Sequence, residues 1–347
     1  MLLYIHIPFC DSKCHYCAFN TYVDKFGLKK EYMRALLRQL SFELENAPSA
    51  LSSIFIGGGT PSCVDASLYE ELFKTLRPYI RDDTEITTEA NPNSASLEWQ
   101  KKMRSYGVNR ISFGVQSFDD KKLKLLGRAH NSIQAKEALS NAKEAGFEHI
   151  SLDLIYGVAN DTKELLLSDI ESAFSFSIDH ISAYALSIEE GTVFEKKPHM
   201  SDDNLALAKF VIDEIKKRGF EHYEISSFGT YKCLHNRGYW EYREYIGVGA
   251  GAVGMRGGTR YYPNTIIEEY IADPLHHKLE ALDGEMQNFE RLFLALRSCV
   301  GIEMRYLNKE QLKRVRVLLE EGKIYQKNDK LYTLDYLLAD EIALFIS

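Results

Sequence analysis

Short β-branched or aromatic runs alternate with longer segments of helical periodicity through the first two thirds of this 347-residue chain. Such alternation predicts βαβ units and a parallel sheet, either open or closed into a barrel. The predicted strands are residues 2–7, 53–56, 85–89, 110–115, 149–155, 180–186 and 221–225. The predicted helices are residues 29–46, 66–78, 95–105, 132–145, 162–176 and 202–218. In either architecture we expect the functional residues at the carboxyl ends of the strands.

After about residue 255 the pattern changes to a short strand at 260–262, helices at 289–296 and 310–321, a hairpin of 323–326 with 330–333, and a last helix near 335–345. Helices combined with a hairpin are typical of small winged-helix-like domains. We therefore expect two domains, a core of residues 1–255 and a small C-terminal helical, winged-helix-like domain of residues 256–347.

Charge and cysteine usage limit the class of protein. The net charge is −8 and no run of Lys and Arg stands out, which argues against a nucleic-acid partner because phosphate binding needs clustered positive charge. Six cysteines are too few for a disulfide scaffold, and three of them crowd into residues 10–17. No apolar stretch approaches the ~18 residues of a membrane span, and residues 2–9 lack the features of a signal peptide. We expect a cytoplasmic protein, with peripheral membrane contact left open.

The most informative motif is Cys10-x3-Cys14-x2-Cys17, which directly follows the first predicted strand. Three thiolates on one short loop hold three irons of a [4Fe–4S] cluster and leave the fourth iron open to an exogenous ligand. A zinc site that uses His6 or His15 as its fourth ligand is the alternative, although zinc sites favour C-x2-C pairs.

Several motifs carry a resemblance to a known family: Tyr4-Ile-His-Ile-Pro-Phe-Cys10, Gly57-Gly-Gly-Thr-Pro61, Gly114-Val-Gln-Ser-Phe118, Asp153-Leu-Ile-Tyr-Gly157 and His235-Asn-Arg-Gly-Tyr-Trp240. The first two resemble the radical S-adenosylmethionine (radical SAM) superfamily. Together the motifs are similar to its oxygen-independent coproporphyrinogen III oxidase-like group, over most of residues 1–345. The resemblance implies an α/β fold with a partial (β/α)6-type barrel, a [4Fe–4S] cluster and S-adenosylmethionine.

The resemblance also implies which residues surround S-adenosylmethionine. They are Tyr4, Tyr16, Gly58, Gly59, Thr60, Glu89, Gln116, Arg128 and Asp153. Taken singly, a glycine after a strand often only permits a turn, and a carboxylate at a strand end is often merely solvated.

His235 is the candidate for contact with heme. An imidazole beside Tyr239 and Trp240 suits a porphyrin, whose iron binds an axial base and whose faces stack on aromatic rings. The alternative is a core histidine whose ring nitrogens are satisfied by neighbouring side chains.

The group contains oxidases, which cleave S-adenosylmethionine to decarboxylate propionate side chains, and heme chaperones, which bind heme and deliver it to hemoproteins. Phe19 stands where the oxidases have a fourth cysteine, the segment before Cys10 is shorter, and the His235–Trp240 motif is typical of the chaperones. We therefore expect a heme chaperone without assigned catalytic residues, with a coproporphyrinogen III oxidase as the alternative. An RNA-modifying enzyme is disfavoured by the lack of a basic run, and analogy with chaperone relatives allows a homodimer.

Overall fold

The computed structural model describes residues 1–45, 47 and 50–347, and within them a twelve-stranded open sheet is the largest feature. Its centre consists of parallel strands β1 (Leu2–Ile7), β2 (Ser53–Gly58), β3 (Glu85–Ala90), β4 (Arg110–Gln116), β5 (His149–Tyr156) and β6 (His180–Ala185). These bounds agree with the six strands predicted between residues 2 and 186 to within two residues, and the partial-barrel fold class is confirmed.

Helices connect the parallel strands: α1 (Lys29–Glu45), α2 (Glu70–Leu76), α3 (Leu97–Ser105), α4 (Asp120–Leu125), α5 (Ser132–Glu144), α6 (Lys163–Phe174) and α7 (Leu205–Lys217). Side-chain caps fix several starts; Asn131, for example, forms a capping box with Gln134 at the start of α5. The predicted end of α1 at residue 46 lies outside the described residues. The short α4 was not predicted. In the described part of the chain, no helix is both long enough and apolar enough to cross a bilayer.

The strands alternate between an apolar outer face and a polar inner face. In β4, Ile111, Phe113 and Val115 belong to the main hydrophobic cluster, which the strands share with the helices. Ser112 and Gly114 instead line the interior of the half-barrel. Burial of one large aliphatic or aromatic side chain stabilises the fold by about 1.5–3 kcal/mol, so the outer face holds the layers together. The inner face is left available for ligands.

The edges of the sheet differ from the prediction. One edge is formed by β7 (Glu221–His222) and β8 (Ser227–Gly229), and the other by β9 (Tyr245–Val248), β10 (Gly254–Arg256), β11 (Thr259–Pro263) and β12 (His277–Ala281). Helix α8 (Leu234–Trp240) connects β8 to β9, and helix α9 (Ile267–Ala272) connects β11 to β12. The strand predicted at 221–225 is only two residues long, and β8 is an additional strand that pairs antiparallel with β6. On the other side, β9 pairs parallel with β1 and begins a run to β12 at the far edge.

The C-terminal part has its own small sheet and its own hydrophobic cluster. Its elements are α10 (Gly284–Leu296), β13 (Ile302–Glu303), α11 (Lys309–Glu320), β14 (Ile324–Lys327), β15 (Lys330–Thr333) and α12 (Ala339–Ile346). The predicted hairpin and helices are confirmed, and the second cluster draws on residues 292–346. Since β10 to β12 extend the large sheet, the domain boundary expected after residue 255 stays a prediction.

Candidate functional site

A cavity of about 560 Å³ opens at the carboxyl ends of the central strands. This is the edge at which parallel α/β sheets and barrels bind ligands. The lining includes the three clustered cysteines and eight further predicted site residues, namely Tyr16, Gly58, Gly59, Thr60, Glu89, Gln116, Arg128 and Asp153. Eleven of the thirteen predicted residues are thus brought together. The other two, Tyr4 and His235, lie elsewhere.

Each of the three clustered thiols has a polar neighbour. Cys10 Sγ lies 3.2 Å from Thr60 Oγ1, and Arg128 Nη1 donates to Cys14 Sγ over 3.1 Å. The backbone N–H of Phe19 donates to the Cys17 sulfur. Among the described residues, no three His, Cys, Asp or Glu side chains converge on one metal-ion position. Cluster thiolates each bind a different iron, so convergence on one point is not required of them.

Asn91, which was not predicted to belong to the site, links two of these thiols. Its Nδ2 donates to Thr60 Oγ1 over 3.0 Å, and its Oδ1 accepts from Arg128 Nη2 over 2.6 Å. A continuous chain of polar contacts therefore runs from Cys10 through Thr60, Asn91 and Arg128 to Cys14. Such outer contacts orient metal ligands. The Asn91-Pro92 pair after a strand was the available signal in the sequence.

His15 fastens the cysteine loop to two other segments. Its Nδ1–H donates to the Leu125 carbonyl over 2.9 Å, and its backbone N–H donates to Leu126 over 3.0 Å. The His15 carbonyl accepts from the N–H of Phe194, a buried residue of the loop after β6 whose ring centroid lies 5.6 Å from that of His15. The imidazole thus braces the loop, and His6, the other histidine of the zinc alternative, is bonded to Tyr4 and Asn20.

The glycine loop after β2 lies against its neighbours so closely that side chains are excluded. A Cβ on Gly58, whose φ is +109°, would lie 2.2 Å from the His6 ring. A Cβ on Gly59 would lie 2.8 Å from the carbonyl oxygens of Ile7 and Phe9. Glycine is required here because the backbone must pass this close and adopt a left-handed conformation. This close packing against β1 and the cysteine loop holds the glycine backbone at the wall of the cavity.

Two acidic side chains, Glu89 and Asp153, face the cavity from β3 and β5. Burial, together with the negative charge of Asp153, raises the pKa of Glu89 to about 7, and Glu89 Oε2 accepts from the Gly58 N–H over 3.0 Å. Burial raises the pKa of Asp153 to about 6. A carboxyl group in a cleft whose pKa lies near neutrality is typical of functional sites, because binding and acid–base roles require such a shifted pKa. They are suited to accept hydrogen bonds from hydroxyl or amino groups.

Unpaired polar atoms show that the cavity fits a polar cofactor. Gln116 Oε1 and Arg128 Nε are buried without a hydrogen-bond partner among the described residues. Gln116 also has a φ of +69°, an uncommon conformation for a residue other than glycine. A buried polar atom without a partner costs about 1–3 kcal/mol, and a ligand with donors and acceptors removes that cost. S-adenosylmethionine, with amino, carboxylate and hydroxyl groups, matches this chemistry.

Tyr4 is placed just outside the cavity lining. Its hydroxyl donates to His6 Nδ1 over 2.9 Å, while His6 Nε2–H donates to the Asn20 carbonyl over 3.0 Å. These contacts tie β1 to the end of the cysteine loop. Tyr4 thus stabilises the cysteine loop indirectly, through its hydrogen bond to His6.

His235 lies at the opposite edge of the sheet, at the amino ends of the strands. Its Nδ1 is 2.8 Å from Ser53 Oγ and its Nε2 is 3.0 Å from the Tyr239 hydroxyl, and the residue is 1% exposed. Its backbone N–H donates to Glu85 over 3.0 Å, which fixes the start of α8. Burial lowers the pKa of His235 to about 3, so the ring is neutral. Ligation of iron by His235 requires a conformation in which one of these two side-chain bonds is broken.

The open half-barrel with three thiols at its carboxyl edge defines a radical SAM domain, and the sequence profile of the Radical SAM superfamily matches residues 4–173. The heme chaperone HemW of Lactococcus lactis is 34% identical, over 96% of this chain and 93% of that protein. HemW of Bacillus subtilis is 36% identical, over 86% and 84% of the two chains. HemW of Haemophilus influenzae is 40% identical, over 73% and 69%. The chain belongs to the HemW family of radical SAM proteins.

A solved structure agrees with the fold. The radical SAM enzyme HemN, coproporphyrinogen III oxidase of Escherichia coli, superposes with a TM-score of 0.83 over 99% of this chain and 89% of that one. Its sequence identity is 22%, so the likeness concerns the architecture alone.

Proposed function

We propose that this protein is a heme chaperone, which binds heme and delivers it to recipient hemoproteins while it carries a [4Fe–4S] cluster and S-adenosylmethionine. The observation that supports this most is the combination of HemW relatives along nearly the whole chain with an intact three-thiol cavity.

Cys10, Cys14 and Cys17 would hold the cluster, with Arg128 and Thr60 against two of the sulfurs. The cluster, when bound, supplies an electron and an open iron for the amino and carboxylate groups of S-adenosylmethionine. Gly58, Gly59 and Thr60 would receive the amino acid part of that ligand, because they line the cavity beside Cys10.

The remaining lining residues would complete the S-adenosylmethionine site. Glu89 and Asp153 supply hydrogen-bond acceptors, and Tyr16 supplies an aromatic ring. Gln116 Oε1 supplies an acceptor and Arg128 Nε a donor that have no partner among the described residues. Tyr4 would act through His6, which lies against the glycine loop. We assign no catalytic residue for a reaction on heme.

The wider context of the protein is part of the same proposal. We infer a cytoplasmic protein with no nucleic-acid partner, for which a homodimer and peripheral membrane contact remain open. We also propose that the chain folds as a core of residues 1–255 and a C-terminal domain of 256–347, supported by the separate hydrophobic cluster at 292–346.

Heme titration followed by transfer tests the proposal. The cluster-loaded protein is titrated with heme under argon, and the loaded protein is then mixed with an apo-hemoprotein from the same cell. We expect saturable binding at one heme per chain and transfer faster than from a heme-loaded protein of unrelated fold. No saturable binding, or transfer no faster than that control, contradicts the proposal.

A further inference from the structure

Both ring nitrogens of His235 are hydrogen-bonded at the amino edge of the sheet, whereas the mouth of the cavity lies at the carboxyl edge and is exposed. The mouth carries a small surface of exposed apolar side chains, which we call the cavity rim: Ala18, Phe19, Tyr184 and Ala185. Exposed apolar surface continuous with a cofactor cavity is typical of ligand-binding sites.

Phe19 is the most exposed large hydrophobic residue of the described chain, at 68%. Its backbone is nevertheless fixed on both sides. The Phe19 N–H donates to Cys17 sulfur, and the next residue, Asn20, donates from Nδ2 to the carbonyls of Ala250 and Thr265 over 3.2 and 2.9 Å. An aromatic ring held out on a fixed backbone is pre-organised to contact a ligand, so little conformational entropy is lost on binding.

Tyr184 faces the same cavity from β6, on the other side of the half-barrel from the cysteine loop, and is 43% exposed. The two aromatic rings offer flat apolar surface to a ligand at the mouth. Deeper in the cavity the lining is polar, with Glu89, Gln116 and Asp153. A large flat apolar ligand is therefore matched by the rim, and a polar nucleoside by the interior.

Charge at the rim suits a ligand with carboxylate side chains. Lys13 lines the cavity, is exposed, and forms no salt bridge within the described part of the chain. Glu189 is the exposed carboxylate of the same lining and would repel a second carboxylate, so Lys13 is the group to which a propionate would bind.

We propose that the cavity rim is the heme contact of this protein: the porphyrin face packs on Phe19, with Tyr184 on the opposite side and a propionate near Lys13. This inference rests on the proposed heme-carrier function and specifies its site. It assigns recognition to the porphyrin ring and its carboxylates, independently of the iron and of His235.

The test compares binding of heme and of iron-free protoporphyrin IX by the wild-type protein, Phe19→Ala and Phe19→Trp. Phe42→Ala is the matched control, because Phe42 is 45% exposed on α1 and does not line the cavity. We expect Phe19→Ala to weaken both ligands roughly tenfold, about 1.4 kcal/mol, while Phe19→Trp and Phe42→Ala bind as the wild type does. The cluster absorbance reports that the cysteine loop is intact in each variant.

Equal affinity of Phe19→Ala and wild type for heme overturns the rim site, whereas failure of the wild type to bind heme overturns the carrier function itself. Binding of heme but not of protoporphyrin IX by the wild type also overturns the rim site, since recognition would then depend on ligation of the iron.

Discussion

Replacement of Glu89 by Gln tests whether the cavity is a desolvated acidic site. The ordinary pKa of a glutamate near 4.5 is raised in the folded protein to about 7. As the pH rises, Glu89 therefore ionises in the unfolded chain at a lower pH than in the folded protein. Ionisation favours the unfolded chain, so the free energy of unfolding falls between about pH 4.5 and 7. One unit of pKa corresponds to about 1.4 kcal/mol, so the ionised carboxylate costs the folded apo-protein about 3 kcal/mol at pH 8.

Glutamine has nearly the same shape as glutamate, and its side-chain carbonyl can still accept from the Gly58 N–H. We expect Glu89→Gln to differ little from wild type at pH 5, by under about 1 kcal/mol, and to be more stable by about 3 kcal/mol at pH 8. Urea unfolding of the cluster-free protein at several pH values measures this difference. Glu137→Gln, at an exposed position of α5, is the control and should show no such trend. A stability difference between Glu89→Gln and wild type that does not change with pH would refute the reasoning.

Three further substitutions test other parts of the site. Asn91→Ala breaks the polar chain between two cluster thiols, and we expect the cluster to be lost in air roughly tenfold faster, as followed by its visible absorbance. His15→Ala removes the brace of the cysteine loop and should lower the iron content after reconstitution, whereas the exposed His199→Ala should not. His235→Ala leaves the hydroxyls of Ser53 and Tyr239 without their partner, and urea unfolding should show a loss of about 2–4 kcal/mol. Unchanged values in any of these variants would count against the contact concerned.

The sequence predicted the centre of the fold well because local signals there agree with one another. Alternation of strands and helices located the six parallel strands. In the structure, Gly107, Gly146 and Gly219 end the helices that precede three strands and have φ values of +103°, +83° and +90°, as residues in the left-handed conformation should. The cysteine spacing and strand-end polar residues then located the cavity, because the carboxyl ends of parallel strands meet at one edge.

The remaining features depend on contacts between distant parts of the chain. The partners of His15 come from residues 125, 126 and 194, and no pattern near His15 indicates them. Heme contact by His235 stays a prediction from its aromatic neighbours, and the structure places those residues in helix α8 at the amino edge of the sheet. Ser53 is 182 residues from His235, so the contact that buries the imidazole could not be predicted from local sequence.

The most direct test of the central claim is an anaerobic assay of cluster-loaded protein with S-adenosylmethionine, reductant and coproporphyrinogen III. We predict no formation of protoporphyrinogen while the cluster spectrum stays intact and added heme is bound tightly. Sustained formation of protoporphyrinogen would contradict the chaperone account and identify the protein as an oxidase.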